Sequence, residues 1–300
     1  MVHLDKPGLD TGVFRTEEVR PRDKPCRSTS RKVAFFPGQY KKPPKVVAGF
    51  RSLDLSHEGP ASANLIVDDV SEDSFNIGFR TRVKSTLYSA SASWIEHKSS
   101  ARDCLSGRFD TKELRSEDSK EDPNPRKGDR EFAKEIRFKR PFQDECKVVC
   151  WLSRINMVGG ESNFRIRAYA TKVSPEGFTA HIDTWSDSVL NGAAMCWIAF
   201  PKNKPHVQSG SFNTSEVRSW SNPKPNNSAR VGFDEDAFEP GKSPTVLVAL
   251  NMLDMAGNSD LRIRVDTEKV TDRGFTWHLD TWDDSTLYSA GASWIALGFA

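Results

Sequence analysis

A phenylalanine and a tryptophan nineteen residues apart recur three times, at Phe75 and Trp94, Phe178 and Trp197, and Phe275 and Trp294. The surrounding stretches, residues 74–96, 177–199 and 274–296, align without a gap. The period of about one hundred residues is the size of a small domain, not of a solenoid unit. A second signature precedes each stretch: Gly-x-Phe-x-Thr-x-Glu-Val/Leu-Arg, opening at Gly12, Gly107 and Gly210. The chain therefore reads as three tandem copies of one domain, over residues 11–98, 106–201 and 209–300. Short polar linkers, residues 97–105 and 201–208, join them.

Each copy reads as β-structure. A loop rich in proline, asparagine and charge follows the opening signature. Phe35, Phe138 and Phe233 then start a strand, and apolar runs follow at residues 45–47, 147–152 and 245–250. Turn residues such as Gly159 and Gly160 come next, then alternating strands at 164–169 and 261–265. Short strands at this density predict antiparallel sandwiches.

Strand parity separates a core from a surface. Phe275, Trp277 and Leu279 share one face, while His278, Asp280 and Trp282 share the other. In copy two, Phe178, Ala180 and Ile182 point inward, and His181, Asp183 and Trp185 outward. On the preceding strand Leu261, Ile263 and Val265 point inward, and Arg262 and Arg264 outward. An outward indole beside an outward guanidinium suits a sugar, which offers C–H groups to a ring and hydroxyls to a fork of donors. The same pattern also fits a tryptophan under a loop and arginines in surface ion pairs.

At these residues the chain resembles the H-type lectin domain of snail agglutinins and discoidins. The resemblance rests on Gly-Phe followed by Thr-Trp, on the closing Ser-Trp-Ile-Ala, on the upstream arginine strand and on the Phe138–Phe142 pair. It covers nearly all of copies two and three and most of copy one. It implies an all-β fold of three six-stranded antiparallel sandwiches that bind galactose or N-acetylgalactosamine without catalysis or cofactor. It also implies a site near the contact between neighbouring protomers. Carried over by position, the copy-three site is Arg262, Trp282, Asp283 and Tyr288. The copy-two site is Arg165, Trp185, Ser186 and Asn191, with Asp129 as the acidic loop residue. Copy one has Ser62 in the arginine place, or Ile66 if its loop is shorter, neither of them an arginine, and Arg82 and Val83 in the tryptophan region. Only Tyr88 remains there, so copy one is expected not to bind in this manner.

Composition narrows the alternatives. With 43 basic and 41 acidic residues the net charge is +2, which gives no basic surface for nucleic acid. No apolar window is long enough to span a membrane. Residues 1–10 lack the apolar region of a secretory signal, so a cytoplasmic protein, or one exported without a signal, is expected. The five cysteines do not recur between copies and read as free thiols. Cys146 and Cys150 have no second ligand pair at metal spacing. Three copies joined by short linkers predict an internal pseudo-trimer or a homo-oligomer that presents several sites to glycans. A glycoside hydrolase needs two carboxylates across one sugar, and Asp183, Asp187, Asp280, Asp283 and Asp284 are the available ones. A protein-interaction scaffold with decayed sites is the third reading.

Overall fold

The computed structural model describes residues 9–114, 130–160 and 162–298. Copy one contributes β1 (Leu9–Arg15), β2 (Ser28–Ala34), β3 (Lys45–Leu55), β4 (Ala61–Asp68), β5 (Ser74–Arg80) and β6 (Leu87–His97). Copy two contributes β7 (Leu105–Asp110), β8 (Arg130–Arg137), β9 (Cys146–Met157), β10 (Phe164–Ser174), β11 (Gly177–Thr184) and β12 (Leu190–Pro201). Copy three contributes β13 (Val207–Asn213), β14 (Ser228–Gly232), β15 (Thr245–Met255), β16 (Leu261–Thr271), β17 (Gly274–Asp280) and β18 (Leu287–Leu297). None of the helical segments described is long and apolar enough to cross a membrane.

Each copy is an antiparallel sandwich, and the repeated sequence features build its core. The inward residues Phe275, Trp277, Leu279, Phe178, Ala180 and Ile182 are all buried. The nineteen-residue spacing brings the phenylalanine and tryptophan rings into edge contact. Their centroids lie 5.1 Å apart in Phe75–Trp94, 5.2 Å in Phe178–Trp197 and 5.4 Å in Phe275–Trp294. Such pairs contribute about 0.5–1.5 kcal/mol beyond area burial. The glycine of the opening signature lies against the indole. A Cβ at Gly12 would come within 2.5 Å of Trp94, and one at Gly107 within 2.6 Å of Trp197.

The rest of the signature is structural too. The threonine is buried and accepts the backbone N–H of the last strand: Ala90 to Thr16 at 2.9 Å, Ala193 to Thr111 at 3.1 Å, Ala290 to Thr214 at 3.0 Å. The glutamate accepts from the backbone three residues earlier, as in Glu216 Oε1 with the Asn213 N–H at 2.8 Å. Arg218 then donates to the carbonyls of Leu287 and Tyr288 at 2.8 and 2.7 Å, and Arg20 donates to those of Leu87 and Tyr88 at 2.8 Å each. Thr214→Val is expected to cost about 1–3 kcal/mol, because it leaves a buried N–H without its acceptor. Denaturant midpoints check this, with Thr214→Ser retaining stability.

One expectation changes. Phe35, Phe138 and Phe233 follow strands β2, β8 and β14 and do not start them. In β8, half-buried Phe132 and Ile136 share one face with Arg130 and Lys134, while Glu131, Ala133, Glu135 and Arg137 are exposed. An edge strand of this kind needs few apolar positions, so its composition matches that of a loop.

The sheets do not follow the copies. The three six-stranded sheets run β1-β6-β3-β16-β17-β14, β13-β18-β15-β10-β11-β8, and β2-β5-β4-β9-β12-β7. Each sheet joins half of one copy to half of another: one with three, three with two, and two with one. The copies thereby close a ring. A second buried cluster fills its centre, with Val47 and Ile95 from copy one, Val149, Trp151 and Ile198 from copy two, and Leu247, Ala249 and Ile295 from copy three. All five cysteines are free. Burial pushes the Cys104 and Cys150 thiols up to about 12.

Candidate functional site at the seams between copies

Where one copy's half-sheet meets the next, the three seams share one register. Arg262 of β16 lies opposite Asp54 of β3, and Arg165 of β10 lies opposite Asp254 of β15. Ser62 of β4 lies opposite Asn156 of β9. Two seams thus carry an Arg–Asp pair across copies. In the third, both members are replaced by neutral residues.

The Thr-Trp dipeptide holds each indole beside its arginine. Thr184 donates its hydroxyl to the Arg165 carbonyl at 2.6 Å, and Thr281 donates to the Arg262 carbonyl. A turn then closes from Ser188 N–H to the Trp185 carbonyl and from Ser285 N–H to the Trp282 carbonyl, both at 3.3 Å. The residue after each tryptophan takes a left-handed backbone, with φ +57° at Ser186 and +53° at Asp283. Aspartate tolerates this conformation and a β-branched residue does not. In copy one Val83 occupies that place, and the positive φ of +71° moves to Lys84.

The sequence-expected residues are grouped differently in space. Tyr288 opens β18, which shares a sheet with β10 and β11, so it belongs to the seam of Trp185 and not to that of Trp282. Tyr88 opens β6, in the sheet of β16 and β17, and stands in the corresponding place in the Trp282 seam. Asn191 lies in β12, on the seam of Ser62. The reason is that a copy's arginine strand and its last strand lie in different sheets. Asp129 lies outside the described residues.

The Trp282 seam is crowded with charge. Arg262 is ion-paired with Asp260 and Asp284, its Nε lies 3.4 Å from Asp54, and exposed Asp283 stands 3.7 Å away. Burial alone would lower the Arg262 pKa, but Asp260, Asp284 and Asp54 raise it. Arg22, from copy one's opening loop, donates to Asp54 at 2.6 Å and lies 5.1 Å over the Tyr88 ring. Burial pushes the Asp54 carboxyl up, against the pull of Arg22 and Arg262. Arg264 lies 6.0 Å over the Trp282 ring.

The Trp185 seam is open. A groove of about 800 Å³ is walled by Arg165, Arg167 and Trp185 from copy two and by Arg218, Trp220 and Asp254 from copy three. Arg165 Nε donates to Asp254 at 2.9 Å, and Arg165 is also ion-paired with Asp187. Burial raises the Asp254 carboxyl, opposed by Arg165. Trp220 is 64% exposed. It stands two residues after Arg218, just as Arg22 stands two after Arg20. An indole pointing to solvent thus replaces a guanidinium that fills the other seam.

Sequence reasoning missed Asp54, Asp254 and Trp220. A signal existed for the first two: each is the sole carboxylate within an apolar strand, in Leu53-Asp54-Leu55 and Leu253-Asp254-Met255. Trp220 was hidden in a loop rich in serine, proline and asparagine.

A β-sandwich protein with half-buried Trp–Arg pairs at its seams has the form of a carbohydrate-binding lectin. The family model of the H-type lectin domain matches residues 31–95, 133–200 and 228–297, more than half of the chain. The chain belongs to the H-type lectin family. Among curated proteins it is 33% identical over 57 residues to "ATP synthase subunits region ORF 7" of Fuscovulum blasticum. That match spans 19% of this chain and 50% of the relative's length. Among solved structures, wild-type discoidin II from Dictyostelium discoideum matches with 9% identity and a TM-score of 0.27. The match covers 64% of this chain and 93% of the discoidin chain.

Proposed function

We propose that this protein is a non-catalytic lectin that binds terminal galactose or N-acetylgalactosamine at the seams between its copies. The observation that carries this reading is the cross-copy site at Trp185. An indole face, a guanidinium fork and a carboxylate there converge on one open groove. Such a set matches the C–H face and the hydroxyls of a sugar ring. The neighbouring carboxylates are engaged with arginine, Asp254 and Asp187 with Arg165, and Asp260 and Asp284 with Arg262. Carboxylates held this way are poorly placed as the acid and nucleophile of a glycosidase, which favours binding over hydrolysis.

Two seams carry the Trp–Arg pair, so the chain is multivalent with unequal sites. The ring supplies, within one polypeptide, the neighbour that each site needs, in the manner of a pseudo-trimer. Two linked sites engaged together raise avidity by about 10²–10⁴. That suits adhesion or agglutination of glycan-bearing surfaces. A glycan array tests the reading: binding to chains ending in galactose or N-acetylgalactosamine supports it. Folded protein that binds no glycan at high density favours a scaffold instead. Unchanged array binding in Trp282→Ala and Arg262→Ala would remove the Trp282 seam from the account.

Arg22→Ala is expected to strengthen the Trp282 seam by about tenfold, because a ligand no longer displaces a charge-assisted hydrogen bond to Asp54. Calorimetric titration checks this. One strong and one weak site per chain should become two of comparable strength.

A further inference from the structure

The Trp185 groove does not end at Arg167. Beyond it lies a second cavity of about 540 Å³, where β10 leaves β15 after Arg167 and the halves of the sheet diverge. Arg167, Asn213 and Met252 line both spaces, so the two adjoin along these side chains. The wall of the second carries Tyr169 from copy two and Asn251 and Glu216 from copy three. Asn213 donates from Nδ2 to the weak acceptor Met252 Sδ, at 3.2 Å. Asn251 donates to Ser293 Oγ at 2.7 Å. Tyr169 is fixed by stacking on His181, with centroids 4.7 Å apart, and by its hydroxyl donating to Asp183 at 2.7 Å. Amides, a carboxylate and a fixed phenol are groups that bind further hydroxyls of a carbohydrate.

The Trp282 seam shows what closes such a space. Asp266 of β16 occupies the place of Tyr169, and Arg51 of β3 that of Asn251. There the two side chains form an ion pair across the divergence, with Arg51 Nε 3.2 Å from Asp266 Oδ1. Arg22 over Tyr88 closes the near end and Arg51–Asp266 the far end. The Trp185 seam has neither.

We propose that the Trp185 seam is an extended site for an oligosaccharide. The terminal unit lies at Trp185 and Arg165, and the next unit crosses Arg167 to a second subsite at Tyr169, Asn251 and Asn213. This rests on the terminal-sugar reading above. The Trp282 seam accepts a terminal unit alone.

The test is calorimetric titration with N-acetylgalactosamine and with di- and trisaccharides ending in it. The longer probes are expected to bind the strong site about tenfold more tightly than the monosaccharide. Asn251→Arg combined with Tyr169→Asp rebuilds the closing ion pair. In that variant the monosaccharide should bind as before, while the gain from the longer probes shrinks below about twofold. Saturation-transfer NMR on the unmodified protein needs no variant, and the second unit's protons should receive saturation. Monosaccharide binding with no gain on lengthening, or with no saturation of the second unit, overturns the second subsite alone. Absence of binding by every probe overturns the terminal-sugar reading and the extension with it.

Discussion

Trp151→Ala is expected to lower the unfolding free energy by about 3–5 kcal/mol. The side chain is 1% exposed and sits at the centre of the ring. Gly49, Trp151 and Ala249 occupy equivalent places on β3, β9 and β15, each opposite the residue before the recurrent Trp-Ile. One indole fills a space that three side chains would otherwise share. A Cβ at Gly49 would come within 2.4 Å of the Trp151 Cβ and 2.8 Å of the Ala249 Cβ. The indole N–H donates to the Ser293 carbonyl of copy three at 3.1 Å, so the residue also ties two copies by a buried hydrogen bond. Thermal or denaturant unfolding checks the magnitude. Moving the ring, with Trp151→Ala and Ala249→Trp together, conserves the central volume and should recover a large part of the loss. Equal destabilisation by the single and the double variant would show that the centre is not a shared space.

Much of this fold was legible in the sequence because each copy repeats its packing problem. The nineteen-residue interval encodes a Phe–Trp edge contact, and the Gly-x-Phe-x-Thr opening encodes an indole contact, a core ring and a buried acceptor. Parity places Phe275, Trp277 and Leu279 inside, and all three are buried; Arg262 lies on the opposite face, where its side chain is largely covered, 11% exposed. The pairing of half-sheets between copies was not legible in residues alone. A strand edge joins its neighbour through backbone groups, which carry no side-chain signature. For that reason Tyr288 was grouped with the tryptophan of its own copy, although it lies on the neighbouring seam. The Ser62–Asn156 pair shows the same limit: the loss at Ser62 could be read from one copy, but its partner sits in another.

Trp185→Ala is expected to weaken sugar binding at the open seam by about a hundredfold while leaving it measurable at high ligand concentration. That corresponds to the 2 kcal/mol or greater effect of a buried aromatic anchor. The indole is partly exposed, and Thr184 fixes its turn through the Arg165 carbonyl. Removing the ring therefore leaves the fold and the Arg165–Asp254 pair in place, and unfolding should change little. Trp282→Ala should have a smaller effect on overall affinity, because Arg22 already weakens that seam.

The central claim is that one site is built from two copies. It is tested most directly by a double-mutant cycle between Trp185 of copy two and Trp220 of copy three, read by calorimetric titration with N-acetylgalactosamine. Two walls of one groove should couple, with an interaction energy above about 0.5 kcal/mol and a double variant weaker by less than the sum of the single losses. Losses that add within about 0.3 kcal/mol, or a Trp220→Ala variant that binds as the parent does, would contradict a shared cross-copy site.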